Sequence, residues 1–297
     1  MARGFTQYLV TKMLEHLFCG VAYTAPTSLS LRLYKSDPLN LATPSTVEVD
    51  ATVDDTAYAP QTVTFAIGTY IDEGAKLDAP SGITFPAVVY GSGAAAYDVT
   101  HYGVTDQGGV LLCSAPFPST QNRAVGDPLV FSDQSVRIFL PWAASPAFSG
   151  LSYYSARKIL GHVFCATAFT PPSGLKIKLH TEDSLIYFDA GGSYSEVDGT
   201  IDDAYAHQNV AFSLESVHSD GTIHLYAPSG ITFPVVDLDP TYEAGNSNYT
   251  VLIASIADSS GNILAAVIPP SGSFVLANGG QATFSNNQFY VGISQTA

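Results

Sequence analysis

One eight-residue stretch occurs twice in the chain, at residues 79–86 and 227–234, and both copies read Ala-Pro-Ser-Gly-Ile-Thr-Phe-Pro. An identity of this length within one sequence is far beyond chance, so the protein is built from two copies of one unit. The 297 residues give each copy enough length for a hydrophobic core. We therefore predict two domains, at 1–140 and 151–297, joined by a Pro-containing linker at 141–150.

Each copy opens with the pattern of a short helix. The apolar residues of the first copy are Leu9, Met13, Leu14, Leu17 and Phe18. They recur at helical spacing, while Lys12, Glu15 and His16 lie on the other side. Residues 158–165 repeat the pattern in the second copy. Gly20 suits a helix C-terminal cap, and because Ala166 stands in its place in the second copy, we expect the cap not to be shared.

A strand with strict period-two alternation follows each helix. Its apolar residues are Leu29, Leu31 and Leu33 in the first copy and Leu175, Ile177 and Leu179 in the second. The intervening polar positions are Ser30, Arg32 and Tyr34 in the first copy and Lys176, Lys178 and His180 in the second. Such alternation predicts one buried face and one polar face. The copies share the apolar face and differ on the polar face, as expected for a common core with divergent surfaces.

The rest of each copy is a series of short strands separated by turn signals. The octapeptide combines a Pro-Ser-Gly turn with an Ile-Thr-Phe strand that the following proline ends. Residues 104–112 and 256–264 have the pattern of a β-hairpin, and residues 136–140 and 289–293 are closing strands. The sequence therefore predicts an all-β fold of two tandem antiparallel β-sandwiches, or partly closed barrels, each with a short N-terminal α-helix.

Charge and composition limit the partners of such a protein. The net charge is −15 with only 11 Lys and Arg residues, which disfavours nucleic acid and an anionic membrane surface. No run reaches the roughly 18 apolar residues of a membrane-spanning helix, and the N-terminal residues lack the pattern of a signal peptide. Charged residues make up 12% of the chain, against a usual share of about 25%. We therefore expect part of the uncharged surface to contact other proteins.

The candidate chemical groups lack the partners that catalysis or metal binding requires. His16 and His162 occupy equivalent helix positions, but neither has a carboxylate or cysteine at ligand spacing. Asp54 and Asp55 fit turn chemistry, with a cation site as the alternative. The cysteines are Cys19, Cys113 and Cys165. This odd, low count favours buried thiols, with a disulfide or a metal as the alternative. We predict no catalytic, cofactor-binding or metal-binding residue.

The order of the motifs along each copy carries a family resemblance. The segments that carry it in the first copy are residues 14–18, 22–26, 33–38, 58–65, 83–86 and 99–112. Together they resemble a family of small tailed-bacteriophage structural proteins, variously labelled tail fibre or head decoration proteins. The second copy reads Leu-Ile-Ala-Ser at 252–255 where the first has Thr-His-Tyr-Gly at 100–103, as a diverged duplicate would. Pro60 and His207 replace an arginine that is common in the family, and residues 94–97 replace a Trp-Gly pair.

The resemblance implies a non-enzymatic virion protein that is assembled in the cytoplasm of the host bacterium and associates with other virion proteins and with itself as a homo-oligomer. The first interpretation is a capsid decoration or cement protein that binds the lattice of the major capsid protein. The alternative is a tail fibre or adaptor subunit, or a receptor- or glycan-binding module. In a glycan-binding module Tyr90, Tyr97 and Tyr102 would stack on a sugar, whereas packing is the simpler interpretation of these tyrosines. Two linked copies would raise avidity through two similar docking faces.

Overall fold

The structure is a computed structural model that describes residues 4–39, 41–68, 74–92, 96–141, 150–181, 196–215, 222–267 and 272–294. Residues 142–149 of the predicted linker and residues 94 and 95 lie outside this part of the chain. The two end residues of the predicted linker, Pro141 and Gly150, belong to strands. Among the described residues the longest helix has 13 residues, and no helix could cross a lipid bilayer.

The elements fall into two similar series, one for each repeat. The helices are α1 (Gln7–Phe18), α2 (Tyr153–Cys165) and α3 (Pro240–Glu243), and a 3-10 turn spans Pro44–Val47. The strands of the first repeat are β1 (Gly4–Phe5), β2 (Leu29–Tyr34), β3 (Gln61–Val63), β4 (Ala66–Ile67), β5 (Gly74–Asp78), β6 (Ile83–Phe85), β7 (Ala96–Asp106), β8 (Leu111–Ala124), β9 (Leu129–Phe131) and β10 (Arg137–Pro141). Those of the second repeat are β11 (Gly150–Leu151), β12 (Lys176–His180), β13 (Gln208–Asn209), β14 (Ser213–Leu214), β15 (Thr222–Tyr226), β16 (Ile231–Val235), β17 (Asn248–Val251), β18 (Ile253–Ala257), β19 (Ile263–Val267), β20 (Phe274–Ala277), β21 (Gln281–Phe284) and β22 (Tyr290–Ser294).

The two repeats have the same sheet topology. A five-stranded antiparallel sheet has the order β1-β8-β7-β2-β3 in the first repeat and β11-β19-β18-β12-β13 in the second. A three-stranded sheet, β10-β5-β4, corresponds to β22-β15-β14, and the pair β6-β9 corresponds to β16-β21. The long strands β7 and β8 are each divided in the second repeat, where β17 pairs with β20 beyond β18 and β19. The predicted all-β, tandem antiparallel fold with an N-terminal helix in each repeat is confirmed.

Each long helix begins at a hydroxyl that also fixes it to its own sheet. The Thr6 hydroxyl oxygen accepts a hydrogen bond from the Leu9 N–H at 3.2 Å and donates to the Leu112 carbonyl in β8. Ser152 repeats the arrangement in front of α2, accepting from the Ser155 N–H at 3.1 Å. Each side chain therefore caps a helix N-terminus and sets the position of the helix on the five-stranded sheet.

The repeated octapeptide supplies an aromatic ring to the core of each repeat. The stacked pairs are Phe85 on Tyr58 and Phe233 on Tyr205, both with ring centroids 6.1 Å apart. The Tyr58 hydroxyl donates to a Glu48 carboxylate oxygen at 2.9 Å and accepts from the Leu33 N–H of β2 at 3.1 Å. The same groups of the second repeat are Tyr205, Glu196 and Leu179. The octapeptide is thus connected through one tyrosine to the five-stranded sheet.

The alternation in β2 and β12 is confirmed along most of each strand, with one correction. Leu29, Leu31 and Leu33 are buried, as are their counterparts in the second repeat. The last residue of each predicted polar face, Tyr34 or His180, is buried as well. His180 is accommodated because its Nε2 lies 2.8 Å from the hydroxyl oxygen of the buried Ser255 on the paired strand β18.

Both helices end in the same backbone conformation, so the expectation that the cap would differ between the copies is wrong. Gly20 has φ +67° and Ala166 has φ +51°. In each repeat the next N–H donates to the carbonyl six residues before it, Val21 to Glu15 and Thr167 to Gly161. A left-handed conformation costs a residue with a Cβ about 1–2 kcal/mol, whereas glycine adopts it freely.

We expect Ala166→Gly to raise the free energy of unfolding by about 0.5–1 kcal/mol, because it removes the Cβ from a left-handed position. The matched change Gly20→Ala should lower it by about 1 kcal/mol; a Cβ there would contact nothing within 4 Å, so backbone strain is the only cost. Urea unfolding of both variants and the wild type measures the two differences. A loss of stability in Ala166→Gly would contradict the explanation.

Candidate functional site

The two repeats are joined through their helices, each of which packs against the other repeat. α1 lies against β15 of the second repeat, and α2 lies against β4 and β5 of the first. Phe18 of α1 meets Phe212 edge-on at 5.8 Å between ring centroids, and Phe164 of α2 meets Phe65 at 5.9 Å. Phe18 and Phe164 occupy equivalent positions in the two repeats, and so do Phe212 and Phe65. The two contacts are therefore related by an internal pseudo-two-fold axis. Most buried side chains of both repeats form one continuous cluster.

The structure brings His16 and His162 together at this junction. Their rings stack with centroids 4.8 Å apart and an interplanar angle of 27°. The Nδ1 of His16 accepts a hydrogen bond from the Tyr23 N–H at 3.1 Å, and its Nε2 is buried without a hydrogen-bond partner. The Nε2 of His162 lies 2.8 Å from the Tyr23 carbonyl oxygen, and its Nδ1 lies 3.1 Å from that of Thr167. The expectation that His16 lies on the polar side of its helix is wrong, because the side chain is buried at the junction against the second repeat. Sequence reasoning identified both histidines but did not predict that they meet.

The environment of the pair suits packing rather than proton transfer. Burial lowers the pKa of His16 to about 4, and the neighbouring His162 adds a smaller effect in the same direction. The Phe169 backbone partly offsets this by raising the pKa. The Phe169 ring packs on His16 at 5.5 Å. In the described part of the chain, no group of three or more His, Cys, Asp or Glu residues is arranged to hold a metal ion.

The three cysteines are free thiols in environments that keep them protonated. Burial raises the pKa of Cys113 to about 12 and that of Cys165 to about 11. Burial, with a smaller effect of Glu15, also raises the pKa of Cys19, whose thiol lies 3.5 Å from the Phe212 carbonyl oxygen. A protonated thiol is a weak nucleophile and a poor metal ligand. The prediction that the cysteines are packing groups fits this arrangement.

The first carboxylate of each Asp-rich segment makes a turn. Asp50 accepts hydrogen bonds from the N–H and hydroxyl of Thr52 and from the Val53 N–H, and these bonds, the Thr52 hydroxyl first, lower the pKa of Asp50. Asp198 accepts from the same two groups of Thr200. Asp54 forms an ion pair with Lys35 at 2.7 Å. The turn interpretation of this segment therefore describes the geometry, since neighbouring groups already occupy these oxygens.

Asp55 and Asp202 are buried and cross-link distant parts of their repeats. Asp55 Oδ1 accepts hydrogen bonds from the N–H groups of Ala57 and Val89, both at 2.9 Å, and its Oδ2 accepts from the Tyr97 hydroxyl at 3.0 Å. The partners of Asp202 are the N–H groups of Ala204 and Asp237 and the Tyr249 hydroxyl. The presence of Asp and Tyr at equivalent positions of both copies was the sequence signal that could have identified this site.

Of the three tyrosines considered for glycan stacking, only Tyr90 is exposed. Tyr97 is buried with its hydroxyl on Asp55. Tyr102 is buried and packs edge-on against Phe117 and Phe131, with ring centroids 5.1 and 5.3 Å away. The simpler interpretation of Tyr97 and Tyr102, that they are packing residues, is confirmed.

Tyr90 belongs to a group of exposed apolar residues on neighbouring turns of the first repeat, which we call the end patch. Its members are Val53, Val89, Tyr90 and Val125, with exposed fractions of 44%, 54%, 43% and 50%. Backbone hydrogen bonds hold their three segments together, from Thr56 to Val89, from Ser92 to Thr52 and from Gly126 to Val88. Sequence reasoning did not predict this surface, because its residues come from three separate turns.

Comparison with known proteins gives one family. The family described as Podophage GP4 fiber I protein gp80 matches residues 4–138 and again residues 150–292. Each match spans one repeat of the structure, from its first strand to its closing strand, so one repeat corresponds to the unit of the family. No curated protein matches the chain. Since the two matches together cover most of its length, the chain belongs to the phage fibre family of Podophage GP4 fiber I protein gp80.

Proposed function

We propose that this phage virion structural protein is a non-catalytic subunit of a tail fibre or of the adaptor that carries one. The family match over both repeats is the observation that carries the proposal. The histidines, cysteines and carboxylates described above are engaged in packing, turns and internal hydrogen bonds, which supports a role in assembly. The two repeats, at 1–140 and 151–297, act as one assembly unit, because each helix is buried against the other repeat.

The two other interpretations have less support. The family is described as a fibre protein, so binding to the major capsid protein as a decoration or cement protein is no longer the first choice. Glycan binding by stacked tyrosines loses two of its three candidates, because Tyr97 and Tyr102 are buried. The partners we propose are therefore other tail proteins, together with further copies of this chain in a homo-oligomer.

Localisation on purified particles of the encoding phage tests the proposal. Antibodies against the chain, detected by gold labelling in electron microscopy, should mark the tail of wild-type particles. Particles from a phage that lacks the gene are the control and should carry no label. Label spread over the head shell would replace the fibre interpretation with capsid decoration. Absence of the chain from purified particles by mass spectrometry would reject a virion role altogether.

A further inference from the structure

We propose that the end patch of the first repeat is the surface through which this chain docks onto another virion protein, one that offers apolar side chains framed by lysine or arginine. The proposal rests on the proposed function and adds to it a surface and the chemistry of the partner. Four large apolar side chains, each at least 43% exposed, lie on three hydrogen-bonded turns of the end patch. An exposed apolar group of this kind on a soluble protein marks an interaction surface.

The second repeat shows the same surface without its apolar character. Asp237 stands where the end patch has Val89, since each donates its N–H to the buried aspartate of its repeat. Asn278 stands in the place of Val125, directly before equivalent left-handed glycines, Gly279 and Gly126. At these two positions the second repeat is therefore polar where the end patch is apolar, so we assign the docking function to the first repeat.

A helix also covers the second repeat at this point. Leu238, which corresponds to Tyr90, is buried, and the segment that follows it forms α3. Tyr242 of α3 packs against the core, and Glu243 accepts a hydrogen bond from the Asn278 side chain at 3.1 Å. The chain itself thus covers this surface in the second repeat, whereas the four side chains of the end patch are exposed among the described residues of the first. In the first repeat a partner takes the place that α3 occupies in the second.

Charge selects the kind of partner. Asp50 and Asp127 are exposed and bond the backbone of Val53 and Ala124, which places their carboxylates at the margin of the end patch. The neighbouring Lys35 is already paired with Asp54. A second copy of this chain would bring the same acidic margin and a net charge of −15, so like charges oppose contact between two end patches. A protein with basic residues around an apolar contact is complementary to both features.

The end patch is also fixed before any partner arrives. The buried Asp55 holds the Val89 N–H at 2.9 Å, and the Thr56 N–H donates to the Val89 carbonyl at 2.7 Å. Both backbone groups of Val89 are therefore already engaged. A surface with its backbone fixed loses little conformational entropy when a partner binds, which favours tight docking on a small area.

The test uses the whole chain in a phage that lacks the gene, supplied from a plasmid. The patch variant is Val89→Asp with Val125→Asn, which installs the residues that the second repeat carries at these positions. The matched control is Val235→Asp with Val275→Asn, at valines of the second repeat that are 50% and 59% exposed. A charge variant, Asp50→Asn with Asp127→Asn, keeps oxygen acceptors for the turn hydrogen bonds and removes two negative charges.

The amount of chain in each purified particle, measured by mass spectrometry, is the result. We expect at least a tenfold loss for the patch variant, a threefold to tenfold loss for the charge variant and no loss for the control, with melting temperatures of the purified variants unchanged. Equal incorporation of the patch variant and the wild type would overturn the docking surface and leave the proposed function intact. Equal incorporation of the charge variant would overturn the basic partner. Failure of the wild-type chain to enter particles would count against the proposed function itself.

One further measurement separates a second copy from a different protein. Sedimentation of the purified wild-type chain and of the patch variant compares their oligomeric states. Equal states in both proteins support a different protein as the occupant. Loss of an oligomer in the patch variant alone would show that the end patch binds a second copy, and would overturn the proposal.

Discussion

Asp55→Ala will lower the free energy of unfolding by about 3–5 kcal/mol, because it leaves the buried Tyr97 hydroxyl and two part-buried backbone N–H groups without their acceptor. The carboxylate accepts from two backbone N–H groups and the Tyr97 hydroxyl, and all three bonds are 2.9–3.0 Å long. An unsatisfied buried donor costs about 1–3 kcal/mol, and the total stays below the sum of three such costs because the two backbone N–H groups are only part-buried. Urea unfolding followed by circular dichroism measures the loss. Asp202→Ala, with the same three kinds of partner, should behave alike.

The adjacent carboxylate provides the control. Asp54 is paired with Lys35, whose side chain is 39% exposed, and such a surface pair contributes about 0–1 kcal/mol. Asp54 also accepts from the Asp50 N–H, so Asp54→Ala should cost roughly 1 kcal/mol. A loss in Asp55→Ala no larger than that in Asp54→Ala would mean that the buried carboxylate is not the cross-link described here.

Local sequence patterns predicted the elements of each repeat but not the contacts between them. Period-two alternation identified β2 and β12, and helical spacing identified α1 and α2, because these patterns record which face is buried. No local pattern marks Asp55 as buried, because two of its three hydrogen-bond partners lie 34 and 42 residues away along the chain. Adjacent aspartates look like turn residues whether or not one of them is buried. Comparison of the two copies was the available signal, since both keep this aspartate and its tyrosine.

The packing of each helix against the other repeat also had no local signal. An apolar helix face predicts that the helix is packed, and the partner could be its own repeat or the other one. In the structure α1 contacts β8 of its own repeat and also β15 of the second repeat. The end patch was missed for a related reason, because exposure depends on what covers a turn. The octapeptide revealed the duplication, but the duplication alone did not show that the repeats share most of their core.

Several buried residues are kept in both copies together with their partners, whereas the end patch differs between the copies. Asp55, Tyr58 and Phe85 have identical counterparts with the same partners in the second repeat. Val89 and Val125 of the end patch have polar counterparts. A duplicated unit can keep one fold only if the buried contacts are retained, whereas each surface is free to serve a different neighbour. The internal pseudo-symmetry therefore describes the core, and its violation at the end patch is what points to function.

Acid will destabilise the protein through His16, by roughly 2–3 kcal/mol between pH 7 and pH 4.5. The pKa of His16 is lowered to about 4 by burial and by His162, against an ordinary value of about 6.5. The unfolded chain therefore gains a proton near pH 6.5 that the folded chain does not accept. Stability from this group is complete above that pH and is lost as the pH falls towards 4. His180, whose pKa burial lowers to about 3, acts in the same direction.

His16→Phe isolates the contribution of His16, because phenylalanine retains an aromatic ring beside His162 and cannot titrate. The variant should be less stable at pH 7, because the Tyr23 N–H loses its acceptor. Between pH 7 and pH 4.5, however, its free energy of unfolding should fall by roughly 2–3 kcal/mol less than that of the wild type. Carboxylates and His180 titrate in both proteins and cancel in the comparison. His207→Gln is the control: burial and then Lys176 lower the pKa of His207 as well, but its side chain is 41% exposed, so we expect a much smaller change of the pH profile than for His16→Phe. Parallel pH profiles of stability for His16→Phe and the wild type would contradict the prediction. They would show that the junction between the repeats accepts a proton at no cost, so that His16 would not be the cause of the acid sensitivity.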